Sequence, residues 1–220
     1  MEFVCCILIG YFIGCINPAY FIGKIKGIDV KRKGSKNAGA SNALLLFGKA
    51  FGVFCAVFDI FKAWLAIFIA KEILFVTYQY AFVLTAVSSI FGHIFPFYMR
   101  FRGGKGLASF GGMVLSYDWR VFLLMLGCAV VVALVSNYLC FVTIGASIAF
   151  PIIYGVQRGD ALGAILLLLP SAVMIYKHLE NVKRVFKGEE IRVSYLWNKK
   201  DELKRLKVDD EDELVGITEK

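Results

Sequence analysis

Long apolar stretches divided by short polar connections run from the start of this chain to about residue 177, and charge collects in only a few of those connections. A helix needs about 20 apolar residues to cross the hydrocarbon of a bilayer, and fewer where neighbouring protein shields it. On that measure the pattern predicts spans near 3–23, 47–70, 73–95, 105–117, 120–137, 140–157 and 161–177, the fourth being short and glycine-rich. Residues 38–46 read as a helix or helical turn leading into the second span. The expected fold class is an all-α integral membrane protein built as a single bundle of seven transmembrane helices.

Composition agrees. With 220 residues, 59% of them apolar, only 19% charged and a mean hydropathy of +0.69, the chain is too hydrophobic for an ordinary soluble domain. No Pro/Ser-rich linker and no internal repeat splits it, so one membrane domain is expected over 1–192 with a charged cytoplasmic tail over 193–220. That tail turns basic and then acidic, ending in Asp209-Asp210-Glu211-Asp212-Glu213, and reads as solvated. Met1-Glu2-Phe3 lacks the positive leader of a cleaved signal peptide, so the first apolar stretch reads as a retained span. Cys5, Cys6, Cys15, Cys55, Cys128 and Cys140 have no CxxC or Cys/His spacing, so neither a disulfide framework nor a metal site is expected.

The formal charge of +8 matters through its placement. Lys and Arg accumulate in cytoplasmic loops. Lys24, Lys26, Lys31, Arg32, Lys33 and Lys36 follow the first span, Arg100, Arg102 and Lys105 follow the third, and Lys177, Lys183, Arg184 and Lys187 follow the last. The connections between them are nearly balanced, at Lys71/Glu72, Asp118/Arg120 and Arg158/Asp160. Seven spans then put the N-terminus outside and the C-terminus in the cytoplasm, with every basic connection inside.

Three polar clusters sit in those basic connections. Gly103-Gly104-Lys105-Gly106 precedes a predicted helix, where glycines let backbone N–H groups approach an anion and Lys105 adds charge. A basic membrane-surface turn is the plainer reading, and the nucleotide-binding P-loop is excluded because Met99 stands at its first glycine and Gly106 at its Ser/Thr. Ser35, Asn37, Ser41 and Asn42 lie among Gly34 and Gly39, as hydroxyl and amide groups for a phosphate or as helix caps. His178, Asn181 and Arg184 recur every third residue, which stacks them on one helix face as phosphate ligands or as a snorkelling helix end. His93 reads as a helix-terminal structural residue. Asp59 and Lys62 fall inside the second span at a spacing that pairs them; each charge there costs about 2.5–3.5 kcal/mol on insertion scales, and structural pairing is the favoured reading.

Taken in order, the clusters resemble the bacterial acyl-phosphate:glycerol-3-phosphate acyltransferases, the PlsY family. The resemblance covers most of 1–192. It is carried by Ile16-Asn17-Pro18-Ala19-Tyr20 leading to 34–42, by Gly92-His93-Ile94-Phe95-Pro96 leading to Phe101-Arg102-Gly103-Gly104-Lys105-Gly106, and by 178–184 followed by Gly188-Glu189-Glu190. It implies a multi-pass enzyme of the bacterial cytoplasmic membrane, its active site facing the cytoplasm. The enzyme would move a fatty acyl group from acyl phosphate to sn-glycerol 3-phosphate, the first acylation of phospholipid synthesis, giving lysophosphatidic acid and phosphate. With that resemblance the candidate catalytic residues are Ser35, Lys105, His178 and Asn181, and the candidate substrate-binding residues are Asn37, Asn42, Gly103, Gly104, Gly106 and Arg184; Glu190 matches a structural position. No metal or other cofactor is expected. The expected partners are the two substrates, membrane lipids and an acyl-phosphate-producing enzyme, with no nucleic acid.

Acyltransferases with a His-x-x-x-x-Asp motif are excluded, because Tyr98 and Lys183 stand where His93 and His178 would need an aspartate. Two positions depart from the resembled pattern: Leu45 replaces an arginine suited to clamping glycerol phosphate, and Cys140 replaces a serine near Thr143. Neighbouring cations such as Lys36, Lys49 or Lys105 would then hold the phosphate. The alternative is a same-fold paralogue with altered acceptor or lost activity, acting as a lipid-intermediate binding or regulatory membrane protein. An anion transporter would need polar residues through its spans, and few occur beyond Asp59 and Lys62.

Overall fold

The structure is a computed structural model and describes residues 1–206. The acidic run Asp209–Glu213 lies outside the described residues. Ten α-helices are present among those described: α1 (Glu2–Cys15), α2 (Pro18–Ile25), α3 (Ala40–Phe47), α4 (Lys49–Phe68), α5 (Ala81–Ile94), α6 (Leu107–Tyr117), α7 (Trp119–Ser136), α8 (Leu139–Arg158), α9 (Ala161–Lys187) and α10 (Lys199–Leu206).

Six stretches are long and apolar enough to cross a membrane by length and composition: Glu2–Ile25, Lys49–Leu74, Ala81–Met99, Trp119–Ser136, Leu139–Arg158 and Ala161–Lys187. The fourth expected span is α6, whose 11 residues rise only about 16 Å against a hydrocarbon core of about 30 Å. Two boundaries also differ from the sequence pattern. The first stretch is not one helix, because Pro18 has no N–H to donate and Asn17 takes an extended conformation (φ −119°, ψ 103°) that starts α2 afresh, its side chain accepting from Tyr20 N at 2.8 Å. The third span begins near Ala81 instead of 73, because α4 runs on through a π-helical turn over Ile69–Leu74.

Helix α5 is the central post. Two thirds of its span is buried, and it packs on α1, α4, α6 and α9, whereas α7 is nearly all exposed with Leu124, Val131 and Val135 facing outward as lipid-facing residues do. The tightest pairing is α1 with α5. A Cβ on Gly14 would sit 2.2 Å from Ser89 O, and one on Gly92 would sit 2.2 Å from Tyr11 O, so each glycine lets the other backbone in. The main core gathers Ile67, Val83, Ile90, Phe110, Phe150 and Met174 from five helices, α4, α5, α6, α8 and α9.

Beside this core, a charged cluster is buried between α4 and α5. Lys62 on α4 lies 2.6 Å from Asp59 Oδ1, 3.0 Å from His93 Nδ1 on α5, and donates to Ile16 O at the end of α1 at 2.6 Å. All three side chains are at most 3% exposed. The pairing expected of Asp59 and Lys62 is thus present, and His93 joins it. Removing one member strands a charge: Lys62→Ala is expected to cost about 3–5 kcal/mol, while Asp59→Leu with Lys62→Met costs much less because the charges leave together. Thermal midpoints of the detergent-solubilised variants test this; a double variant less stable than Lys62→Ala contradicts the pairing.

Candidate functional site

The three polar clusters meet at one end of the bundle. Residues 30–38 fold back because Asn17 Nδ2 donates to Ala38 O at 2.8 Å, and because buried Asn42 holds the loop from inside. Asn42 Oδ1 accepts from Ser35 N at 2.8 Å, and its Nδ2 donates to Val30 O at 2.9 Å and to Lys33 O at 3.1 Å. Gly34 (φ +63°) is confined by the same amide, since a Cβ there would meet Asn42 Oδ1 at 2.1 Å. Asn42 therefore organises the loop with its whole amide. Asn37 and Ser35 remain half-buried on that loop, and none of the described hydrogen bonds uses the Ser35 hydroxyl.

The first cluster reaches the second through packing. Val30 and Ala38 bury against Met99, with Tyr20 and Tyr98 beside them. Met99 belongs to the turn after Pro96, and Arg100 (φ +56°) and Phe101 (φ +58°) both take left-handed conformations as the chain reverses into the glycine segment. Here the structure corrects the expected use of the glycine amides. Gly103 N donates to Ile94 O at 3.0 Å and Gly104 N to His93 O at 3.1 Å, so these two N–H groups close the turn and are not presented to an anion. The glycines serve close approach instead: a Cβ on Gly104 would lie 2.0 Å from His93 Nε2 and one on Gly103 2.2 Å from His93 O. What the segment does present is the N-terminal end of α6, beyond Gly106 (φ +98°), where first-turn amides lack helical partners.

Helix α9 supplies the third cluster. Met174 packs on Gly106, where a Cβ would meet its Cγ at 3.1 Å, and one turn later buried His178 donates from Nδ1 to Met174 O at 2.8 Å. A carbonyl only accepts, so the Nδ1 bond fixes the tautomer and leaves Nε2 as an acceptor. Asn181 Oδ1 accepts from Lys105 Nζ, Asn181 Nδ2 donates to Glu190 Oε1 at 2.6 Å, and Arg184 Nε donates to Glu190 Oε2 at 2.8 Å. Burial, then the nearby Arg184 cation, pulls the Lys105 ammonium down to about 8, with Glu190 opposing. Lys105, Asn181, Glu190 and Arg184 form one hydrogen-bonded chain beside His178, and the part of Glu190 in it was not assigned from the sequence. The i, i+3 spacing of Asn181 and Arg184 was the available signal, lacking only the acceptor between them.

Two departures noted in the sequence also find a place. Leu45 packs beside Ile191, Tyr195, Leu203 and Leu206, and Lys49 Nζ donates to Leu196 O, so this cation is engaged by the C-terminal segment. Cys140 is buried near the start of α8, and Thr143 bonds its own helix at Leu139 O.

A helical bundle with a buried charge cluster, a glycine turn and a Lys–Asn–Glu–Arg chain at one end suits a membrane enzyme handling a phosphorylated substrate, and the comparisons specify which. Residues 4–188 match the family model described as glycerol-3-phosphate acyltransferase. Glycerol-3-phosphate acyltransferase 1 of Oceanobacillus iheyensis is 39% identical over 206 residues, covering 91% of this chain and 99% of that protein. Glycerol-3-phosphate acyltransferase 2 of Thermotoga maritima is 34% identical over 188 residues, 85% of this chain and 94% of that one. The crystal structure of PlsY (YgiH), an integral membrane glycerol 3-phosphate acyltransferase in its glycerol 3-phosphate form, superposes with a TM-score of 0.81 at 28% identity, covering 89% of this chain and 98% of that one. Its lysophosphatidic acid form gives 0.76 at 27% identity, over 87% and 95%. The chain belongs to the glycerol-3-phosphate acyltransferase family, in its PlsY branch, and it is a membrane acyltransferase. A paralogue that has lost this activity is not favoured.

The contact between Gly104 and His93 gives a direct test. Gly104→Ala is expected to displace the turn, costing about 1–3 kcal/mol in stability and most of the turnover, because the His93 ring is held by Lys62 and cannot yield. Thermal midpoint and single-turnover rate check it, and an unchanged rate contradicts the close packing.

Proposed function

We propose that this enzyme transfers a fatty acyl group from acyl phosphate to the 1-hydroxyl of sn-glycerol 3-phosphate at a site facing the cytoplasm. The observation that carries the reading is the Lys105–Asn181–Glu190–Arg184 chain beside His178 and the N-terminal end of α6. Two phosphates need cationic and N–H partners at the membrane surface, and this end supplies both while the acyl chain lies among the apolar spans. The positive-inside bias of 24–36, 100–105 and 177–187 supports the cytoplasmic orientation, an external N-terminus and the seven-crossing count in which α6 completes one span. The division at residue 192 into membrane domain and tail remains our reading of composition, and the bacterial cytoplasmic membrane is the location that the family resemblance implies.

In the reaction the 1-hydroxyl oxygen attacks the acyl carbonyl carbon, the bond from that carbon to the phosphate oxygen breaks, and phosphate leaves with the bond's electron pair. A mixed anhydride already carries a good leaving group, so alignment does most of the work, worth roughly 7–11 kcal/mol in the best cases. His178 Nε2 accepts the hydrogen bond of the attacking hydroxyl and orients it; the proton departs on phosphate. Lys105 and the α6 amides hold phosphate oxygens as charge develops on them, Asn181 aims Lys105, and Arg184 adds positive potential. Ser35 and Asn37 line the acceptor side, Asn42 supports them, and Gly103, Gly104 and Gly106 give the turn its shape. No protein nucleophile is required. An acyl-phosphate-producing enzyme would deliver the donor from the same face.

Purified enzyme in detergent or lipid, given palmitoyl phosphate and sn-glycerol 3-phosphate, is expected to release phosphate and lysophosphatidate. Lys105→Ala and His178→Ala are each expected to lower kcat/KM on the order of 10²-fold or more while the protein folds; full activity in both refutes the site. Lys105 carries charge below its value of about 8 and loses it above. The kcat/KM for palmitoyl phosphate, whose phosphate Lys105 holds as it leaves, is therefore expected to be near its full value at pH 7, to be falling by about pH 8 and to drop further beyond it, and the fall should vanish in Lys105→Arg, whose guanidinium stays charged. A kcat/KM flat from pH 7 through pH 9 in the unmodified enzyme contradicts phosphate binding by this ammonium.

A further inference from the structure

The chain does not end its structural work at α9. Beyond Gly188 (φ +75°) it turns back across the end of the bundle that carries the site, and α10 lies against it. An apolar contact seats this segment: Tyr195 and Leu206 bury against Leu44, Leu45, Ile191 and Leu203. Polar ties secure its edges. Val193 N donates to Asn137 O and Ser194 N to Asn137 Oδ1, both at 2.8 Å, and Arg192 Nε reaches Tyr138 Oη at 3.3 Å. The connection between α7 and α8, helix α3 and the first residue of α4 are thus strapped to the end of α9.

Within the strap one ion pair stands apart from the solvated charges around it. Glu202 is 3% exposed; its Oε1 accepts from Arg192 N at 2.8 Å and from Arg205 Nη2 at 2.6 Å, and its Oε2 accepts from Arg205 Nε at 3.0 Å. Burial alone would raise the Glu202 carboxyl, but the Arg205 and Arg192 bonds hold it below the usual carboxylate range, so the clasp is charged at neutral pH. Arg205 spends its other donors on the site: Nη1 on Gly188 O at 2.5 Å and Nη2 also on Glu190 O at 2.7 Å. Those two carbonyls flank the backbone that carries the Glu190 carboxylate to Asn181 and Arg184, and Asn181 in turn accepts from Lys105.

We infer that residues 188–206 are a strap in which the Glu202–Arg205 pair positions Glu190, and through it Asn181 and Lys105, for acyl transfer. Arg205 touches the Glu190 backbone and Glu202 acts on it through Arg205, so both are positioning residues. Leu45 belongs to this device: an apolar side chain there seats Tyr195 and Leu206, where an arginine would put a charge into the contact. The inference rests on the placement of the reaction at Lys105 and Asn181 proposed above, and the experiment separates the two.

The full-length enzyme is compared with Arg205→Ala, Glu190→Gln and their combination, measuring kcat and both KM values with palmitoyl phosphate and sn-glycerol 3-phosphate. Arg205→Ala is expected to lower kcat about tenfold or more, since misplacement of an aligned group by an ångström costs up to on the order of 10²-fold, while the KM for palmitoyl phosphate moves less than about twofold. In the Glu190→Gln background the same change should cost less than about twofold, because the group it positions has already lost its charge. Millimolar guanidinium should restore part of the Arg205→Ala rate and none of the combined variant's. Unchanged kcat in Arg205→Ala, or an equal loss in both backgrounds, overturns the inference. If Arg205→Ala does not fold, Arg205→Lys, which keeps the charge and forfeits the paired carbonyl contacts, is held to the same comparison. A silent Glu190→Gln together with a silent Lys105→Ala would instead show that the site itself was misplaced.

Discussion

Lys62 is the point on which the arrangement of helices turns. An ammonium at 2% exposure inside a membrane bundle survives only if its donors are used, and here they go to Asp59, to His93 and to the free carbonyl of Ile16. Each acceptor belongs to a different structural unit. Asp59 fixes the ammonium on α4, His93 brings in the central α5, and Ile16 O is exposed only because α1 ends before Pro18. The break in the first span and the buried cation therefore depend on each other: an unbroken helix would spend that carbonyl on its own ladder, and the lysine would lose a partner.

The same cluster reaches the chemistry through His93. With one ring edge held by Lys62, the other presses on Gly104, and the His93 carbonyl takes the Gly104 N–H. The turn that delivers Lys105 is thereby built on a fixed imidazole, so the precision of the ammonium derives from a charge pair deep in the bundle. This explains why two adjacent glycines are needed without invoking anion binding by their amides. Their N–H groups are consumed in placing the lysine, and anion binding passes to the cation and to the end of α6.

Much of this was legible in the sequence, and the reasons divide cleanly. Apolar length located six stretches, because the bilayer imposes the same requirement on any helix that crosses it. The Asp59/Lys62 pairing was readable for a similar reason: charge in hydrocarbon has few outcomes. The extent of α4 was not readable, since Lys71 and Glu72 read as a polar connection between spans, yet the helix carries on through them in a π-helical turn over Ile69–Leu74. Nor could spacing show that Asn42 spends its amide on Ser35, Val30 and Lys33, or that Gly103 and Gly104 bond back to Ile94 and His93, because those partners are set by how the loops fold. Glu190 is the instructive intermediate case. Its residue type suits Arg184, but its role needed the chain to reverse at Gly188.

The strap shows why composition misreads short charged segments. Residues 199–206 are Lys-Lys-Asp-Glu-Leu-Lys-Arg-Leu, and counting charge predicts solvent on every side. Yet Leu203 and Leu206 lie three apart on α10, and Glu202 with Arg205 takes the same spacing one residue earlier, so the helix presents an apolar edge and a paired edge side by side. Neither edge would hold eight residues alone. Leu45 gives the first something to cover, and the carbonyls of Gly188 and Glu190 give the second something to bind, which is why a segment too polar to fold by itself is ordered next to the site. An apolar residue where the resembled pattern has a phosphate-clamping cation is, in this chain, one half of that docking contact.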